Sequence, residues 1–164
     1  MQKRISDLPP ILSPGIHQIT MDWLQVNCVD AFPISRTRPQ ILAGFRRITD
    51  QLQLLAIDCH LIVDGSYLTE EIEPLDIDFA VCVTPEFYES CSAAQSEYLH
   101  WIRDDFTIKE THSSDCYLCV EYPEGHPDWY DGIQDKAFWV NLFGTSVVHK
   151  QVRGVGNLEL SVGA

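Results

Sequence analysis

Apolar residues along the chain fall into runs whose spacing switches between a helical and a strand period. Between residues 36 and 56, Ile41, Leu42, Phe45, Ile48, Leu52 and Leu55 recur every three or four positions with polar residues between them, which predicts a helix with one apolar face. Residues 20 to 32 have a looser helical spacing through Met21, Trp23, Leu24, Val26 and Val29, with Thr20 placed to cap the start and Pro33 to end it. HLIVDGSYL is a short apolar run closed by glycine, the pattern of a buried strand that runs into a tight turn. Beyond an acidic linker containing Pro74, DIDFAVCV predicts a second strand, and residues 85 to 106 return to helical spacing through Phe87, Tyr88, Cys91, Tyr98, Trp101 and Ile102. CYLCVEY, from Cys116, reads as a third strand. A last helix is expected over residues 129 to 143, with Ile133, Ala137, Phe138, Val140 and Leu142 inward, and VGNLELSV as a short edge strand.

This order predicts an α/β (α+β) fold, with a short mixed sheet and helices packed mainly on one side. At 164 residues the chain fits a single domain. Residues 1–19 are expected to form an extended arm, since LPPILSPGIHQI holds three prolines and a glycine. Residues 20–56 supply the N-terminal helices, 57–122 the central core, and 123–164 the C-terminal helix and edge strand. No run approaches the ~20 apolar residues of a membrane span, and MQKRISDLPP lacks a secretory apolar stretch, so a cytoplasmic protein with no membrane association is expected. Its six cysteines are then expected to stay reduced and to serve mostly as packing. A formal net charge of −13 repels nucleic-acid phosphates at long range, so extensive nucleic-acid binding is not expected. Small substrates or a basic protein partner are accommodated more easily.

The chemistry concentrates in DGSYLTEEIEPLDIDF, residues 64 to 79. On a strand, side chains alternate, so Asp76 and Asp78 point one way while Ile77, Phe79, Val81 and Val83 point into a core. Two carboxylates side by side repel unless a cation neutralises them, and hard oxygen ligands suit Mg²⁺ or Mn²⁺. Gly65 lets backbone approach a ligand closely, and Ser66 offers a hydroxyl and an N–H to a phosphate. Nine residues separate Gly-Ser from Asp-Ile-Asp. If the two strands pair antiparallel, the end of one and the start of the next share an end of the sheet, and phosphate cradle and metal site become neighbours. Asp115 and Glu121 are candidates for a third carboxylate. They lie about 20 Å apart along a strand, and a crossover helix returns the third strand parallel to the second, which favours Asp115.

Gly-Ser, nine residues, Asp-Ile-Asp, a crossover helix and a later strand-borne Asp resemble the signature of the nucleotidyltransferase superfamily, the DNA polymerase β-like fold. The segments LSPGIHQIT and FWVNLFGTSVVHKQVRGV are also similar to a small bacterial group of uncharacterised, minimal nucleotidyltransferase-like proteins. The resemblance implies transfer of a nucleoside monophosphate from a nucleoside triphosphate onto a protein, RNA or small-molecule hydroxyl. In that reading Gly65 and Ser66 lie at the triphosphate, and Asp76, Asp78 and Asp115 are catalytic residues and metal ligands. Minimal members often occur in toxin–antitoxin or phage-defence pairs, which implies a protein partner.

Other readings stay open. Lys136, Lys150 and Arg153 are rare cations in an acidic chain; Lys150 and Arg153 are candidate triphosphate contacts or ordinary surface charges. Cys116 and Cys119 form a C-x-x-C, but on a strand they face opposite sides, so packed thiols are expected instead of zinc. The histidines have no regular ligand spacing. A catalytically idle interaction module, antitoxin-like, and a nucleotide-binding sensor are the alternatives to an enzyme.

Overall fold

The computed structural model describes residues 8–123, 125–130, 136–145 and 152–160. It is a mixed α+β fold built on one five-stranded sheet. Strand β1 (Gly15–Gln18) is followed by helix α1 (Met21–Leu24), a π-helical turn at Gln25–Asp30, helix α2 (Thr37–Leu54) and strand β2 (Cys59–Asp64). Strand β3 (Ile77–Val83), helices α3 (Pro85–Ser90), α4 (Ala93–Asp104) and α5 (Ile108–His112), strand β4 (Ser114–Val120), helix α6 (Lys136–Phe143) and strand β5 (Gly154–Leu160) complete the order. The sheet runs β1-β5-β2-β3-β4. β2 pairs antiparallel with both β3 and β5, while β3–β4 and β1–β5 are parallel.

Alternation along β3 sends Ile77, Phe79, Val81 and Val83 into the main core, where Phe45, Ile48 and Leu52 of α2 and Leu99 and Ile102 of α4 meet them. Ala80 and Cys82 face the other way, under Trp139 and Phe143 of α6. Among the described residues, helices therefore lie mainly on one face, with α6 alone packed against the second core cluster. None of these helices is long and apolar enough to cross a membrane.

Thr20 caps α1 as expected, its Oγ1 accepting from Trp23 N–H at 3.0 Å. Four expectations change. The N-terminal arm contributes β1, so β5 lies inside the sheet and is not an edge strand. The helix expected over 85–106 is two helices, because Ser92 opens a capping box with Gln95 that starts α4 afresh after α3. A further short helix, α5, precedes β4. On α6 Val140 packs inward as expected, beside Trp139 and Phe143, whose spacing also suits a helix core; Phe138 and Leu142 are exposed instead, and Ile133 lies outside the described residues.

Candidate active site

The segment between β2 and β3 is fixed from three directions. From one side, Ile11 N–H donates to Leu68 O and Glu70 N–H to Pro9 O, tying the segment to the N-terminal arm. From below, the fully buried Arg38 of α2 donates to the carbonyls of Tyr67, Thr69 and Glu71, and to that of Cys28. Further along, the Glu73 carboxylate accepts from Arg36 and Thr37 N–H and caps α2 from outside the helix. Those amides hold the Glu73 carboxyl below its ordinary range.

Gly65 has φ +92°, and a Cβ there would collide with the Asp78 carboxylate, so only glycine lets the turn backbone lie against that side chain. Ser66 opens a 3₁₀ turn through Leu68, closed by Thr69, whose N–H and hydroxyl both donate to Ser66 O.

The antiparallel register sets Asp64 opposite Asp78, and the parallel register sets Asp78 opposite Asp115. Three carboxylates thus stand abreast on three strands, pointing to one face. Asp76, just before β3, is buried, and it approaches Asp115 through a shared cation. Lys109 Nζ of α5 lies 2.7 Å from Asp76 Oδ2 and 2.9 Å from Asp115 Oδ2. Burial would lower the Lys109 ammonium, and the two carboxylates outweigh it and raise it. On the other flank Arg153 donates to Asp64 Oδ2 at 2.9 Å and to Phe143 O. Burial pushes the Asp64 carboxyl up to about 7, against Arg153 and the Gly65 amide, with the Asp78 charge adding to the rise. Tyr117, two residues beyond Asp115, is pushed up to about 12, chiefly by burial and then by Asp115 and Asp78.

Gly65, Ser66, Asp76, Asp78 and Asp115 are brought to one end of the sheet. Glu121 lies at the opposite end of β4. Arg153 is at the rim, held by Asp64, and Lys150 lies outside the described residues. Lys109 and Asp64 were not singled out by sequence. Lys109 belongs to no motif and reaches the site only because α5 packs on α2, where Gly44 leaves room for the His112 backbone. Asp64 had a readable signal, being the last strand residue before Gly-Ser.

Every acidic donor here is a carboxylate oxygen, the ligand type of Mg²⁺ and Mn²⁺. The seat between Asp76 and Asp115 is taken by the Lys109 ammonium, which a hard divalent cation would have to displace. Beside Asp115 a cavity of about 320 Å³ is lined by Arg103, Phe106, Lys109 and Tyr117.

Fold and site define a mixed α+β domain whose sheet carries a carboxylate cluster at one set of strand ends, next to a glycine-serine turn. The chain belongs to DUF6932, a family of unknown function whose sequence profile matches residues 6–160. No curated protein and no solved structure matches it.

Proposed function

We propose that the chain is a metal-dependent nucleotidyltransferase that moves a nucleoside monophosphate from a nucleoside triphosphate onto a hydroxyl acceptor. One observation carries this reading: the Gly65-Ser66 turn lies directly against Asp78, which in turn stands in register with Asp115. A backbone turn able to face phosphate and carboxylates able to bind metal would thereby be neighbours, which supports the reading.

Gly65 and Ser66 would hold the triphosphate through backbone N–H groups and the Ser66 hydroxyl. Asp76, Asp78 and Asp115 would hold Mg²⁺ or Mn²⁺, which when bound supplies neutralisation of charge on the attacked phosphate and on the leaving group. Asp115, partly exposed, takes the proton of the acceptor hydroxyl. The acceptor oxygen then bonds to the α-phosphorus, the bond from that phosphorus to the bridging oxygen breaks, and pyrophosphate leaves. The cavity beside Asp115 gives the nucleoside or acceptor a place, and Phe106, 94% exposed, offers a face for stacking.

The test is transfer of label from triphosphates carrying ³²P at the α or the γ position, with Mg²⁺ or Mn²⁺, into protein and RNA acceptors. Label should pass from the α position only, and Asp76→Asn/Asp78→Asn should abolish it. Transfer that survives in the double variant would refute the assignment.

Lys109 favours a second reading, an idle copy of the fold serving as an interaction module, because its ammonium neutralises Asp76 and Asp115 without metal. In that case neither the wild type nor Lys109→Met binds a metal–triphosphate complex.

A further inference from the structure

At the other end of the same sheet face lies a second group of coordinating side chains, which nucleotidyl transfer leaves unused. We propose that His60, Cys82 and Glu121 bind a zinc-class transition-metal ion, with an open coordination position toward the adjoining cavity.

Strand register assembles the group. Glu159, His60, Cys82 and Cys119 occupy one row across β5, β2, β3 and β4, and so share a face. Glu121, two residues past Cys119, continues that face. One donor atom each from His60, Cys82 and Glu121 lie within 4.8 Å of one another, and His60 Nε2 is 3.4 Å from Glu121 Oε1. Tetrahedral zinc with bonds of about 2.0–2.3 Å sets its donors about 3.3–3.8 Å apart, a contraction within reach of small side-chain rotations.

The donor set decides which metal. An imidazole, a thiolate and a carboxylate select a borderline ion such as Zn²⁺ over Mg²⁺ or Mn²⁺. Three protein ligands beside a cavity of about 250 Å³, lined also by Thr84 and Glu159, leave room for a fourth ligand, either water or the Glu159 carboxylate. Cys119, fully buried, stands in register beside Cys82 on the neighbouring strand and would give the thiolate outer support. Cys82 is four residues from Asp78, about 13 Å along the strand, and Ala80, Trp139 and Phe143 pack in the layer between. The two sites are separate, and this one stands independently of the nucleotidyl-transfer reading.

The test titrates the metal-stripped full chain with Zn²⁺ in competition with a chromophoric chelator, and with Co²⁺ as a spectroscopic probe. One Zn²⁺ per chain is expected, and Co²⁺ should give a thiolate-to-metal charge-transfer band with tetrahedral visible absorption. His60→Ala and Cys82→Ala should each weaken Zn²⁺ by roughly 100-fold or more, beyond the loss of an outer-shell partner alone. Asp76→Asn/Asp78→Asn, which disables the carboxylate site, should bind Zn²⁺ as the wild type does. Because Cys82 is buried, the partly exposed His60→Ala and Glu121→Gln carry the test should Cys82→Ala fail to fold by circular dichroism. Absence of Zn²⁺ binding, absence of the cobalt–thiolate band, unchanged affinity in His60→Ala and Glu121→Gln, or loss in the aspartate variant overturns the proposal.

Discussion

Arg38→Met probes what holds the turn that precedes Asp76. The guanidinium makes five hydrogen bonds to four backbone carbonyls at 2.6–3.1 Å, and its Cζ lies 3.8 Å from the centre of the Phe32 ring. Hydrogen bonds from a charged donor contribute about 1.5–3 kcal/mol each, while burying the charge costs several kcal/mol. Methionine fills the stem of the side chain but leaves the carbonyls of Cys28, Tyr67, Thr69 and Glu71 without that donor, at roughly 1 kcal/mol apiece. The expected loss is therefore about 3–5 kcal/mol, the scale on which one half of a buried charged contact is truncated. That is a large share of the ~5–15 kcal/mol that stabilises a domain. Urea denaturation measures it, and triphosphate affinity should fall in parallel because Ser66 and Asp76 sit at the two ends of the released segment. Arg38→Lys, with its charge but a compact ammonium, should recover only part. A loss below ~1 kcal/mol with unchanged triphosphate affinity would refute the reasoning, since either the carbonyls would then be satisfied otherwise or the clamp would not position the site.

Other outcomes follow from particular contacts. Gly44→Ala should destabilise by about 1–3 kcal/mol despite alanine's better helix propensity, because the new Cβ meets the His112 backbone; the urea midpoint decides. Lys109→Met removes an ammonium that faces Asp76 and Asp115; with Lys109 half-exposed, the loss in chelator should be about 1–2 kcal/mol, and Mg²⁺ should restore part of the thermal midpoint. Burial raises the folded Asp64 carboxyl to about 7, whereas in the unfolded chain it titrates near ~4. The folded chain therefore keeps a proton that the unfolded chain loses between those values. Stability from this group is full below pH ~4 and is lost as pH rises toward ~7, so Asp64→Asn should flatten that slope in urea melts across the same range.

How far the sequence revealed this molecule depended on whether the signal was local. Helix α2 and strands β2, β3 and β4 were legible because each carries its own apolar period, and Gly65 with Asp78 was legible because a turn glycine and an alternating acid have local meaning. The parallel return of β4 beside β3 followed from the crossover rule and brought Asp115 beside Asp78, whereas the antiparallel pairing of β2 with β3 entered only as a condition that the structure meets. What escaped was set by contacts distant in sequence. β5 looked like an edge because nothing in GVGNLEL announces that residues 15–18 will pair outside it. Lys109 reads as an ordinary surface lysine until α5 docks on α2. His60, Cys82 and Glu121 have no ligand spacing along the chain, since β2, β3 and the residue just past β4 deliver them. Ser92 is the exception, a local cap signal that the longer apolar period around it masks.

The most direct measurement of the central claim is calorimetric titration of each nucleoside triphosphate, with Mg²⁺ or Mn²⁺, into the wild type and into Asp76→Asn/Asp78→Asn. The account predicts metal-dependent binding of at least one triphosphate at one per chain, lost in the double variant while the fold persists by circular dichroism. Failure of the folded wild type to bind any triphosphate, or equal binding by the double variant, would contradict it.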